Sequence, residues 1–301
     1  MTTPATVGRP ELKIPGHSKG LLDVFHDRFL LRLIVRKELR VRYRGSILGM
    51  VWSYVKPLTQ FLVFFFAMGV FLKLRETIPD YVVYLFAGIV TINYFSEAFG
   101  NATRCLVWNA PLINKIFLPR ELFPVASLWV AIIHFLPQFI VLLLAALISG
   151  WRPSFTELLA GVLGFAIVSI LALGLGLIFG AINVFYRDAE NFVDLILMVA
   201  TWCSPVLYSW QMVFTSTPRW LWYIYQANPL TAAVELFHHA FWYGALNEAE
   251  VATALAAYDG LPIQPNHLWT VGLIALLVSC GILAIGQLVF RRLEGRFAQE
   301  L

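Results

Sequence analysis

Residues 36–57 read RKELRVRYRGSILGMVWSYVKP, and the change of character inside this stretch decides the fold. Arg36, Lys37, Arg40, Arg42 and Arg44 crowd its first half. Gly45 and Gly49 bracket the changeover, and the long apolar run that follows contains Lys56. Cations packed against the edge of a hydrophobic segment read as a cytoplasmic anchor on a membrane-spanning helix.

Working outward, the whole chain has the same bias. Of its 301 residues 59% are apolar and 13% charged, with a mean hydropathy of +0.73. A soluble domain carries about 25% charged residues. At about 20 residues per crossing the length accommodates six helices with modest loops and excludes a large soluble domain. The expected fold is therefore an all-α polytopic membrane protein. The apolar runs fall at about Ile47–Leu74, Val82–Val107, Val125–Ile148, Leu158–Phe185, a shorter one from Phe192 to Pro205, and Leu268–Phe290. With the N-terminus inside, 17 Lys and Arg lie on the inner side against four outside, which places both termini in the cytoplasm. The first apolar span comes too late and is too long for a removed signal peptide. Cys105, Cys203 and Cys280 lack C-x-x-C spacing, so neither a disulfide framework nor a zinc site is expected.

Residues 1–19, rich in Pro and Gly, carry no periodicity and are expected to be disordered. Residues 20–44 read as an amphipathic helix: Leu22, Phe25, Phe29, Leu30, Leu33 and Ile34 recur at helical spacing opposite Asp23, Asp27, Arg28, Arg32 and Arg36. It would lie along the cytoplasmic membrane surface, against other protein, or both. Within the second span, Glu97 and Arg104 sit seven residues apart, two turns along one face, and should turn away from lipid. Trp108–Pro124 is too polar and proline-rich for membrane core and reads as an inner loop whose middle forms one or two helical turns. That loop is either a protein contact or ordinary surface. Gly174, Gly176 and Gly180 in the fourth span are read as close-packing positions. Residues 206–245 are dense in Trp and Tyr and broken by Pro218 and Pro229. Two half-helices dipping into the outer leaflet and returning would explain that pattern. Residues 246–266 form an outer loop, and 291–301 a basic cytoplasmic tail.

The chemistry-bearing residues are sparse. Asp188, Glu190 and Asp194 cluster in one inner loop, either as a Mg²⁺ site for a diphosphate or as solvated charge beside Arg187. His238 and His239 are adjacent and diverge by about 100° on a helix, so they are poor co-ligands. No catalytic group and no metal site is assigned. The sequence has no G-x-x-x-x-G-K-[ST], hence no P-loop of its own. Tyr54, Phe61 and Phe65 share one face of the first span and are candidates for an aromatic wall along a sugar path.

RKELRVRYRGSILGMVWSYVKP, followed in order by NAPLINKIFLPRELFP and ANPLTAAVELF, resembles the ABC-2 type permeases that export lipid-linked polysaccharides such as O-antigen and teichoic acid. Its opening stretch is most similar to actinobacterial lipid-linked galactan exporters. The resemblance spans nearly the whole chain. It implies an ABC-2 transmembrane domain over 45–290 of a multi-pass protein of the cytoplasmic membrane. It further implies a homodimer that works with two separate ATPase subunits, which bind the ATP and Mg²⁺; this chain itself takes no cofactor and no nucleic acid. Its other partners would be membrane lipids and the glycan substrate. A coupling helix at about 109–121 would contact the ATPase through Leu112, Asn114, Lys115, Phe117 and Arg120. The helix Leu21–Arg40 would be the interface helix. Trp210–Phe214 and Thr231–Phe241 would be outer gate helices, with Trp210, Phe214, Glu235 and His238 as gate residues. The chain departs from many relatives at His238 and His239, where an Arg is expected. Arg40, Arg42, Arg44 and Lys56 are the expected diphosphate contacts, since fixed cations at a helix end suit a multivalent anion. A permease of the same fold moving a drug or simple lipid, and a membrane prenyl or glycosyl transferase, are the rival readings.

Overall fold

The computed structural model describes residues 20, 21, 24, 27–115, 118–257 and 260–301. Residues 1–19 and Leu22, Asp23 and Phe25 of the amphipathic segment lie outside the described residues, as does Phe117. All regular structure among the described residues is helical: α1 (Arg28–Arg42), α2 (Trp52–Phe64), α3 (Leu74–Thr77), α4 (Tyr81–Trp108), α5 (Ala110–Ile113), α6 (Leu122–Ile148), α7 (Phe155–Phe185), α8 (Ala189–Trp202), α9 (Trp210–Ser216), α10 (Arg219–Ala227), α11 (Pro229–Phe237), α12 (Glu248–Ala257), α13 (Leu268–Leu293) and α14 (Phe297–Glu300).

Five of these helical stretches are long and apolar enough to cross a membrane: Gly49–Phe71, α4, α6, α7 and Leu268–Arg296. The segment expected as a further full span, α8, has 14 residues, or ~21 Å of helix, short of the ~30 Å hydrocarbon core. Pro205, placed just beyond it, cannot continue a helix.

Packing centres on α4 and α7. The buried face of α4 is nearly continuous, because α6, α7, α8 and the segment after Pro229 all pack on it. α7 starts at a capping box in which Ser154 and Glu157 satisfy each other's backbone amides, and it crosses α13 and α4 at glycines. A Cβ on Gly174 would lie 2.7 Å from the backbone nitrogen of Leu283, and one on Gly180 would lie 2.9 Å from the carbonyl oxygen of Ala102. Both obstructions are backbone, so neither can swing aside. Gly174→Val is therefore expected to destabilise the fold by about 1–3 kcal/mol. Gly281→Ala, on the same α13 but with open space around it, should be neutral in the same detergent-solubilised thermal melt.

The first long span is not a single α-helix. A 3₁₀ turn at Gly49–Val51 leads into α2, and a π-helical stretch, Phe65–Phe71, completes it. Gly45 and Gly49 take left-handed backbone angles, φ +77° and +51°, so the turn between α1 and α2 occurs at the two glycines that bracket the charge-to-apolar switch. α1 rests on α6 with Ile34 and Val35 buried, while Phe29 and Leu33 of its apolar set face outward. The amphipathic face is thus divided between a protein contact and an outward surface.

Candidate functional site

Beside the turn from α1 to α2 lies a cavity of about 770 Å³. Three helices give it polar stripes at helical spacing: Ser53, Lys56 and Gln60 on α2; Asn93, Ser96, Glu97 and Asn101 on α4; His134 and Gln138 on α6. The last turn of α1 and the residue after it supply Arg42 and Tyr43. In helices this apolar, polar residues at i, i+3, i+4 and i+8 turn toward protein or water rather than lipid.

A hydrogen-bonded chain organises the cavity. Arg42 Nη1 lies 2.5 Å from Glu97 Oε1, and the same oxygen lies 2.5 Å from His134 Nδ1. His134 Nε2 meets the Tyr43 hydroxyl at 2.9 Å, and that hydroxyl meets Ser53 Oγ at 3.0 Å. The imidazole thus bridges Glu97 and Tyr43 through its two ring nitrogens, and Arg42 Nη1 also lies 3.3 Å from Nδ1. Lys56 has no ion-pair partner among the described residues. The cavity therefore offers one cation already paired and one unpaired.

The four expected headgroup cations are all exposed; Arg42 and Lys56 line this cavity, and Arg40 and Arg44 do not. The aromatic candidates point elsewhere. Phe61 stacks on Phe65 at 5.8 Å and meets Phe86 edge-on at 5.5 Å, while Phe65 packs near Tyr81. These rings weld the outer half of the first span to α4, because they occupy the register adjacent to the polar stripe rather than the stripe itself. Tyr54 is exposed and also off the cavity wall.

Glu97 and Arg104 both turn inward but serve different partners. Arg104 reaches α8, with Nη2 2.5 Å from Asp194 and Nε 3.3 Å from Glu190, and Glu190 also accepts from Asn183 at 2.9 Å. Two of the three inner-loop carboxylates are thereby engaged by one arginine.

The expected coupling segment forms a single turn, α5. Asn114 and Lys115 are exposed beyond it, Leu112 is half-buried, and Arg120 sits with its guanidinium 5.7 Å from the Phe297 ring centre. Asn109, just before α5, donates to its own helix at Cys105 O and to Glu38 on α1, and it accepts from Lys37. The loop and α1 are thus joined directly, a link carried by a residue the motif reading passed over.

The four candidate gate residues separate into two groups. Trp210 is buried and donates from Nε1 to Ile263 O at 2.9 Å, and Phe214 and Trp222 pack around it. Glu235 and His238 are also buried. His238 lies face to face with Tyr84 at 3.9 Å and its Nε2 is 3.1 Å from the Tyr84 carbonyl oxygen. The segment is broken at Pro218 and at Asn228–Pro229 into α9, α10 and α11, followed by a π-helical stretch His238–Trp242. Trp151 and Trp242 pin that stretch by indole hydrogen bonds to Ala240 O and Pro79 O.

Asn93, Ser96, Asn101, Gln60 and Gln138 are the cavity residues that motif reading missed. The signal was present as polar periodicity inside apolar runs, which a search for charged or aromatic faces does not register.

A helical membrane domain with a polar cavity and no P-loop in its sequence is compatible with a transport permease. Residues 30–242 match the family model described as ABC-2 type transporter, and the chain belongs to that family. It is a multi-pass protein of the cytoplasmic membrane and a permease rather than an enzyme. It is 30% identical over 276 residues to the O-antigen export system permease protein RfbA of Klebsiella pneumoniae, covering 90% of this chain and 95% of that one. The RfbA of Myxococcus xanthus is 27% identical over 235 residues, 78% of this chain and 88% of the relative. The polysialic acid transport protein KpsM of Escherichia coli is 24% identical over 226 residues, 74% and 84% respectively.

Proposed function

We propose that this chain is the membrane subunit of an exporter that carries a polyprenyl diphosphate-linked polysaccharide, galactan- or O-antigen-like, out across the cytoplasmic membrane. The observation that carries the reading is the polar cavity holding Arg42 and Lys56, set in an ABC-2 domain whose relatives are named for polysaccharide export. A diphosphate headgroup is a multivalent anion suited to two cations that line one cavity.

Two copies would enclose the glycan path, and two separate ATPase subunits would bind ATP and Mg²⁺ and drive it. The exposed Asn114 and Lys115 are the parts of the coupling segment free to meet an ATPase, with α1 beside them. α9 to α11 would form the outer gate. Six crossings are supported by the path of residues 190–208. Glu190 pairs with Arg104 near one end of α4, and the carbonyls of Pro205 and Tyr208 accept from Tyr84 near the other. Twenty residues of helix separate those two levels, ~30 Å, the thickness of the hydrocarbon core. The distribution of Lys and Arg supports cytoplasmic termini.

Depletion of this chain in its native cell tests the proposal. Lipid-linked glycan is expected to accumulate on the inner face and surface glycan to fall, with both restored by re-expression. Normal surface glycan after depletion, with a drug or simple lipid retained instead, would sink it.

A further inference from the structure

Glu97 is an unusual occupant of a site meant for an anion. It is itself a carboxylate, and it holds the cavity's paired cation, Arg42, at 2.5 Å while His134 grips the same oxygen from the protein side. Lys56, which also lines the cavity, has no ion-pair partner among the described residues. Arg42 also lines a second cavity of about 200 Å³, together with Glu38 and Trp108.

We propose that Glu97 is a built-in surrogate for the substrate's phosphate: a latch that occupies Arg42 when the cavity is empty and is displaced when a diphosphate arrives. This rests on the headgroup reading above and specifies how that site is regulated. A diphosphate offers several oxygens and more charge than one carboxylate, so it can outcompete Glu97 for the fork of a guanidinium. Unpaired Lys56 supplies the first attraction. The displaced carboxylate keeps its bond to His134, whose orientation is held by Tyr43 and Ser53. Glu97 then lies beside an anion of its own sign, which lowers affinity and favours release once the helices move. The latch therefore trades tight binding for turnover.

The test uses the full-length protein in nanodiscs and labelled farnesyl diphosphate, with inorganic pyrophosphate as competitor. Glu97→Gln, which removes the competing charge and keeps the side-chain size, is expected to bind the prenyl diphosphate about tenfold tighter. Arg42→Gln should bind it about tenfold weaker, and adding Glu97→Gln to that variant should bring a smaller gain than it brings to the wild type, because only the like-charge repulsion is then relieved. Glu97→Asp, which withdraws the carboxylate by one methylene, should shift affinity in the same direction by less, and serves if the glutamine variant does not fold. Unchanged or weaker binding in the Glu97 variants, with binding still lost in Arg42→Gln, overturns the latch and leaves the headgroup site standing. Equal binding by wild type and Arg42→Gln, or no binding to wild type, overturns the headgroup site and the latch with it. Pyrophosphate competing as strongly as the prenyl diphosphate would assign the site to free phosphate species and overturn the lipid assignment; a need for much higher pyrophosphate supports it.

Discussion

Arg42→Gln is expected to reduce surface display of the exported glycan by roughly 10- to 100-fold, the loss of one or two charge-assisted hydrogen bonds to a partly shielded anion. Arg44→Ala, by contrast, should leave export within about twofold, because Arg44 lies off the cavity wall and its charge is screened by solvent and salt. Both are measured as surface glycan normalised to permease abundance in cells lacking the chromosomal copy. The contrast separates a local role in the cavity from a general effect of positive charge at the membrane edge. Equal losses at the two positions would count against the cavity and favour diffuse attraction to the cytoplasmic leaflet.

The second large effect concerns stability. Arg104→Leu leaves Glu190 and Asp194 without their shared cation, in a place where Arg104 is only 19% exposed. A buried pair broken on one side costs about 3–5 kcal/mol; Asp194 is 59% exposed, so about 1–3 kcal/mol is expected here. The detergent-solubilised protein should melt lower and give less monodisperse material. Adding Glu190→Gln should recover part of the loss, since the excess negative charge is what destabilises. An unshifted melt for Arg104→Leu would show that the α4–α8 contact is held by apolar packing alone.

Much of this could be read before any coordinates. Hydropathy located α4, α6, α7 and α13 to within a few residues, because long apolar runs have few alternatives in lipid. Arg42, Lys56 and Glu97 were each conspicuous as ionisable groups at or within apolar runs. Their convergence was not legible, since it depends on the rotation of α2, α4 and α6 about their own axes, and a rotation error of one residue exchanges the polar stripe for the aromatic one. That is the reason the aromatic face of Phe61 and Phe65 was legible in the sequence while the cavity stripe of Ser53, Lys56 and Gln60 was passed over. Gate residues were hard for a related reason. Composition marks Trp210 as interfacial and the resemblance adds Glu235 and His238, yet whether such side chains face a mouth or a packed interior is set by long-range contacts such as Trp210 with Ile263 and His238 with Tyr84. The break at α8 was visible in Pro205, but the vertical distance covered by the short helix and the turn after it emerges only from their partners on α4.

The junction at Asn109 bears on how force would travel. Lys37 and Glu38, which hold that asparagine, precede Arg42 by about one helical turn on the same rigid α1, ~6 Å along its axis from Glu38. A push on the loop between α4 and α6 would therefore act on a short crank whose far end is the cavity's own arginine. No relay through the membrane core is required, and stroke at the loop and displacement at Arg42 should be nearly equal in size.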